Sequence, residues 1–166
     1  MTTFIPDKPP LMEQAVPFFE ESQQMDIPGR GTKKTVLQLQ GEVSEALVRL
    51  NASLSKFASG EYSEGERKRY GFRITFVYGG LPGRIDCAAL PLKKETPAKK
   101  ERALAQALYL LRDELVAMAW SAIHKPGSVP LLPYIVGNDG NTVTEALVQR
   151  QQIPEIAPTL LLNSGR

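Results

Sequence analysis

From Lys34 onward the apolar residues recur every seven positions, at Val36, Val43, Leu50 and Phe57, with Gln40, Leu47 and Leu54 interleaved and Gly60 as a stop. This spacing predicts a long helix with a heptad-like seam. In RKRYGFRITFVYGGLPGRIDCAALPLKK the period falls to two, with Phe72, Ile74, Phe76 and Tyr78 alternating with Arg73, Thr75 and Val77. That pattern predicts a β-hairpin whose turn runs from Gly79 to Gly83 and whose return strand runs from Arg84 to about Leu92. Pro97 suits a first helical turn, and AKKERALAQALYLLRDELVAMAWSAIHK then continues without a breaker to Pro126 and Gly127. Leu104, Leu108, Leu111, Leu115, Met118 and Ala122 step by four and three, while Ala107, Leu110, Ala117 and Trp120 broaden the apolar surface. The expectation is a second long helix, apolar enough to be covered on more than one side, within the domain or by a second copy of the chain.

The flanks read differently. The first 32 residues hold five of the thirteen prolines and end in the Pro/Gly break DIPGRGTKK. They are expected to form a flexible or strap-like arm over residues 1–32, in which Phe18, Phe19, Glu20 and Glu21 either dock on a partner or fold back onto the domain. Beyond Pro126 the stretch KPGSVPLLPYIVGNDGN is loop-rich, Thr142 or Thr144 can cap a short helix through Leu147 to Gln152, and residues 154–166 form a strap or tail. The expected fold class is therefore α+β: long helix, β-hairpin and long apolar helix in one domain over residues 33–153, with the N-terminal arm and a loop-rich C-terminal segment.

A chain of 166 residues with 42% apolar and 23% charged side chains fits one soluble globular domain. No apolar run approaches the roughly 20 residues that span a bilayer. The proline-broken start MTTFIPDKPPLMEQ has neither the basic beginning nor the apolar run of a signal peptide, so a cytoplasmic location and no membrane contact are expected. Cys87, the single cysteine, has no internal disulfide partner and reads as a small hydrophobe in a strand.

Charge sharpens the picture. Between Arg67 and Arg102 stand ten basic residues, Arg67, Lys68, Arg69, Arg73, Arg84, Lys93, Lys94, Lys99, Lys100 and Arg102. Against three acids, Asp86, Glu95 and Glu101, they give this segment a net +7, whereas the whole chain carries +2. A closed hairpin brings Arg67 to Arg69 and Lys93 to Lys94 to one end, beside the start of the second helix, where free backbone N–H groups also favour phosphate. These ten residues are the candidate nucleic-acid-binding site. Tyr70, Phe72, Phe76 and Tyr78 either line the core, as an alternating stripe usually does, or form a platform on which bases stack.

AKKERALAQALYLL, with its lysine pair and its alanines at 103, 105 and 107, resembles the final helix of double-stranded-RNA-binding domains. The resemblance covers about fourteen residues and implies lysines that grip A-form phosphates. That family has three strands between its helices where the pattern here predicts two, and its first helix is shorter.

Glu42 and Glu45, three apart on one helix face, resemble the ExxE motif of the all-α nucleoside triphosphate pyrophosphohydrolases, which implies a magnesium site. The second acidic motif of that family is incomplete, because Leu110 stands three residues before Asp113 where the family has Glu. One histidine, His124, and one cysteine exclude zinc cages and Cys/His dyads, and His124 reads as a helix C-cap. GRGTKK and YGGLPGR lack the spacing of a phosphate-binding loop.

The pattern therefore points to a non-catalytic nucleic-acid-binding or accessory protein without cofactor or metal. A protein-interaction module acting through the arm or as a homo-oligomer is the alternative, and a magnesium-dependent nucleotide hydrolase the third reading.

Overall fold

The computed structural model describes residues 16–64 and 66–151. Three antiparallel strands in the order β1 (Ala52–Glu64), β2 (Arg67–Tyr78) and β3 (Leu81–Ala88) lie between α1 (Val36–Arg49) and α2 (Pro97–Ile123), and a short α3 (Val143–Gln151) follows. The α+β class holds, with three strands between the helices. The expected positions in 1–15 and 152–166, including the C-terminal strap, fall outside the described residues.

The central strand organises the core. Phe72, Ile74 and Phe76 alternate along β2 and are all buried, so period two delivers one continuous apolar face. Leu39, Val43, Ala46 and Leu47 of α1 and Ala105, Leu108, Leu111 and Leu115 of α2 pack onto it, joined by Ile85 from β3. Phe57 of β1 meets Phe72 edge to face with ring centroids 5.2 Å apart. Phe72 and Phe76 are thus core residues and offer no surface for stacking bases.

The first helix is half the length expected, and its apparent continuation is β1. α1 ends because Asn51 takes a left-handed conformation, φ 61°, which a short polar side chain tolerates. In β1 a bulge between Leu54 and Lys56 inserts Ser55, so that Leu54 and Phe57, three apart, both pack on the core. Leu50, Leu54 and Phe57 therefore step by four and three as a helix would, although a turn and a bulge produce the spacing.

Other boundaries also shift. The β2–β3 turn is only Gly79 and Gly80, both at positive φ, since Tyr78 pairs with Leu81; this is the two-residue hairpin that favours glycine. β3 stops at Ala88 rather than near Leu92. α2 spans 27 residues as expected, capped by Thr96 with Pro97 in its first turn and with His124 at its C-cap. It is not apolar all round: the sheet and α1 cover one side, and Trp120 and Ile123 stand 64% and 68% exposed. α3 begins where the sequence placed it, with the Thr142 hydroxyl accepting from Glu145 N at 3.1 Å. Among the described residues no helix is long and apolar enough to cross a membrane.

Gly71 marks a close approach of backbone to backbone in the sheet. A Cβ there would lie 2.3 Å from the Cys87 carbonyl oxygen and 2.9 Å from Ala88 Cα, whereas one at its cross-strand neighbour Gly60 would meet nothing. We expect Gly71→Ala to cost about 1–3 kcal/mol, as overpacking against backbone does, and Gly60→Ala to leave thermal unfolding nearly unchanged. Equal melting temperatures for the two variants would contradict the packing.

Candidate nucleic-acid interface

Residues 16–32 of the arm fold back on the basic end of the sheet. Phe19 is buried against Ala89 and Ala103, its N–H donates to the Pro91 carbonyl at 2.8 Å, and the Arg30 guanidinium lies 3.9 Å above its ring. From there the chain crosses α2: the Gln106 side-chain amide donates to the Pro28 carbonyl, and Arg102 donates to the carbonyls of Thr32 and Lys34.

Seating Phe19 brings Glu20 and Glu21 onto the lysines before α2. The Glu20 carboxylate accepts from the backbone N–H groups of Lys93 at 3.1 Å and Lys94 at 3.2 Å, and from the Lys99 ammonium at 3.2 Å. Two adjacent backbone donors and one ammonium converge on a single carboxylate, which makes this a formed anion seat. Glu21 pairs with Lys93 Nζ at 2.6 Å. Phe18 completes the contact, with Arg67 4.6 Å and Lys93 5.4 Å from its ring centre. Arg67 and Lys93, 26 positions apart, thus meet at one end of the sheet as the hairpin reading expected.

Beside the seat, Tyr70 gathers a second group. Lys68 Nζ and Lys100 Nζ stand 4.7 Å and 4.1 Å from its ring centre, and its hydroxyl donates to Glu95 at 2.9 Å. Lys68 also pairs with Glu61 at 3.0 Å. The Tyr70 hydroxyl and the Glu61 carboxylate raise the Lys68 ammonium above its ordinary range.

The remaining basic candidates serve the scaffold. Arg69 donates to the carbonyls of Ala88 and Ala89, and Arg102 ties the linker to α2. Arg73 and Arg84 alternate with the buried stripe and face the other side of the sheet, where both pair with Asp86 and Arg84 also pairs with Glu145. Tyr62 reaches Asp86 there at 2.9 Å. The ten candidates divide accordingly: Arg67, Lys68, Lys93, Lys94, Lys99 and Lys100 gather around the start of α2, and Arg69, Arg73, Arg84 and Arg102 are engaged elsewhere.

The acidic pair of α1 is not arranged for a cation. Glu42 accepts from Lys34 and from Arg112, at 3.1 Å from the latter, while Glu45 is exposed. The Lys34 hydrogen bond outweighs desolvation and holds the Glu42 carboxyl below its usual range. Among the described residues no group of three or more His, Cys, Asp or Glu could hold a metal. Cys87 is pushed up to about 12 by desolvation and stays a thiol.

Burial works to raise the Glu20 carboxyl, but the backbone N–H groups of Lys93, Glu20 and Lys94 and the Lys99 ammonium bring it down to about 2. A carboxylate held low contributes its full stability above the ordinary value of 4.5 and loses it as pH falls toward 2. We expect Glu20→Gln to lower the melting temperature by about 3–6 °C near neutral pH, the effect of losing hydrogen bonds to a charged group in a domain this size. The gap between variant and wild type should close as the pH drops through that window. A gap unchanged at pH 2 would mean that the Glu20 charge does not contribute to the stability of the fold.

No family model matches this chain, and neither a curated protein sequence nor a solved structure does.

Proposed function

We propose that this chain is a cytoplasmic, non-catalytic nucleic-acid-binding protein that holds the phosphate backbone at the end of the sheet beside the start of α2. The observation that carries the reading is the seat itself: two neighbouring backbone N–H groups and the Lys99 ammonium already converge on one anionic oxygen pair. Lys94 supplies one of those backbone groups, and Lys68 and Lys100 stand over the ring of Tyr70, whose hydroxyl donates to Glu95 next in the chain, at the end from which α2 projects its positive dipole. Phosphate oxygens take the same donors as a carboxylate, and contacts of this kind position a backbone without reading sequence.

The element order gives further support. With three strands between α1 and α2, and a first helix of 14 residues, both departures from the double-stranded-RNA-binding pattern disappear. The reading needs no cofactor and no metal.

The test is a fluorescence-polarisation titration of short duplex and single-stranded RNA and DNA at several salt concentrations. We expect log affinity to fall linearly with log salt. Replacing Lys68, Lys94 and Lys100 by alanine should weaken binding about tenfold or more and flatten the duplex slope by about 2–3, since each lost phosphate contact removes about 0.9. Wild-type protein that binds none of these ligands at low salt would overturn the proposal.

A second reading rests on a different observation. Arg49 of α1 and Ala119, Trp120 and Ile123 of α2 line an open depression on which a large apolar surface is left uncovered. Exposed patches of this kind mark protein contacts, so we propose that this side of α2 mediates self-association or binding of a protein partner. Sedimentation velocity should show a concentration-dependent dimer that Trp120→Glu abolishes. A monomer at all concentrations would overturn self-association, and a stoichiometric partner recovered by pull-down after nuclease treatment and lost with Trp120→Glu would then be the test of a protein contact.

A further inference from the structure

We propose that the arm is an internal competitor for the phosphate seat, with Glu20 and Glu21 standing where phosphates bind and giving way only to a ligand that presents several of them. The inference rests on the reading of the α2 start as a phosphate-binding surface and adds to it a means of selection.

Three observations carry it. First, the carboxylate of Glu20 makes the contacts a phosphate would make, accepting from two backbone N–H groups and one ammonium. Second, the arm delivers its acids to this surface in particular: Glu21 neutralises Lys93, and Phe18 covers both Lys93 and Arg67. Third, the anchor is separate from the acids. Phe19 is held by apolar burial, by the Pro91 carbonyl and by Arg30, none of which involves the seat. The two glutamate side chains can therefore swing out by rotation about their own bonds, Glu21 giving up the hydrogen bond it accepts from Phe18 N–H, while Phe19 stays in place.

The energetic consequence follows from tethering. A carboxylate on a short tether competes at an effective concentration on the order of millimolar or above, so a ligand offering one phosphate is excluded at lower concentrations. A nucleic acid that engages Lys68, Lys94 and Lys100 at the same time gains several contacts and displaces the acids. The arm should thus weaken binding of every anion while discriminating most strongly against single phosphates.

The experiment compares the full-length wild-type chain with Glu20→Gln/Glu21→Gln and with a control of equal charge change placed elsewhere, Glu45→Gln/Asp113→Asn. Each is titrated with the same short RNA and DNA and, by amide chemical shifts of Lys93 and Lys94, with inorganic phosphate. Circular dichroism confirms that each variant is folded. The expected result is a seat variant that binds nucleic acid about tenfold or more tightly than wild type, with a salt slope steeper by about 1–2 as new phosphates are seated. Its Lys93 and Lys94 amides should respond to millimolar phosphate, and those of wild type and control should not.

If wild type binds nucleic acid and loses that binding when Lys68, Lys94 and Lys100 are replaced, but the seat variant binds no more tightly than the control, the competitor inference is overturned and the phosphate-binding reading stands. If neither wild type nor the seat variant binds nucleic acid at low salt, both fall together. Binding by the seat variant alone would overturn both as stated, because the acids would then not give way to a ligand that presents several phosphates.

Discussion

The alternation of Phe72, Ile74 and Phe76 along the central strand is the constraint on which the rest of the structure depends. β2 pairs with both neighbours, and its buried face can be covered from one side only, by α1 and α2 together. Each of these fully buried side chains contributes about 1.5–3 kcal/mol, so a slip of one residue in register, which would turn all three to solvent, is strongly disfavoured. On the same face the Phe76 ring packs where a Cβ of Gly83 would otherwise lie, 2.2 Å from the ring.

Once both helices occupy one face, the charges sort themselves. Residues of opposite parity on β2 and β3 face away from the helices, which sends Arg73 and Arg84 to Asp86 and Glu145. Side chains beyond the covered part of the sheet stay near the start of α2, where Lys68 meets Tyr70 and Lys100, and Arg67 meets Phe18 and Lys93. Strand parity thus separates Arg73 and Arg84 from the basic residues that lie near the start of α2.

How much of this was legible in the sequence depends on the kind of signal. The β2 stripe, the Pro97 start of α2 and the Thr142 cap of α3 rest on local periodicity and capping chemistry, and the structure has each of them where the residues placed it. β1 was hidden for a local reason as well: the Asn51 turn and the bulge at Ser55 shift the phase of the inward residues, so Leu50, Leu54 and Phe57 imitate a helix. Trp120 is exposed although the apolar surface of α2 predicted cover within the domain or by a second copy, because an apolar stripe reports what a helix can bury and α1, which stops at Arg49, does not reach over it. For the candidate site, composition located the basic segment, and the pairing of Phe-Phe with Glu-Glu was the one hint that the arm complements it.

By itself the sequence determined which faces are apolar, where the two main helices start and where positive charge accumulates, because each of these is a property of residues within a turn or two of one another. Only the tertiary structure decided that Glu20 closes on Lys99, 79 positions away, that Glu42 takes up Arg112 at a separation of 70, and that four of the ten candidate basic residues are drawn into the scaffold. Charge partners are chosen by distance in space, and that distance exists only after the sheet face has been buried and the arm has been anchored by Phe19.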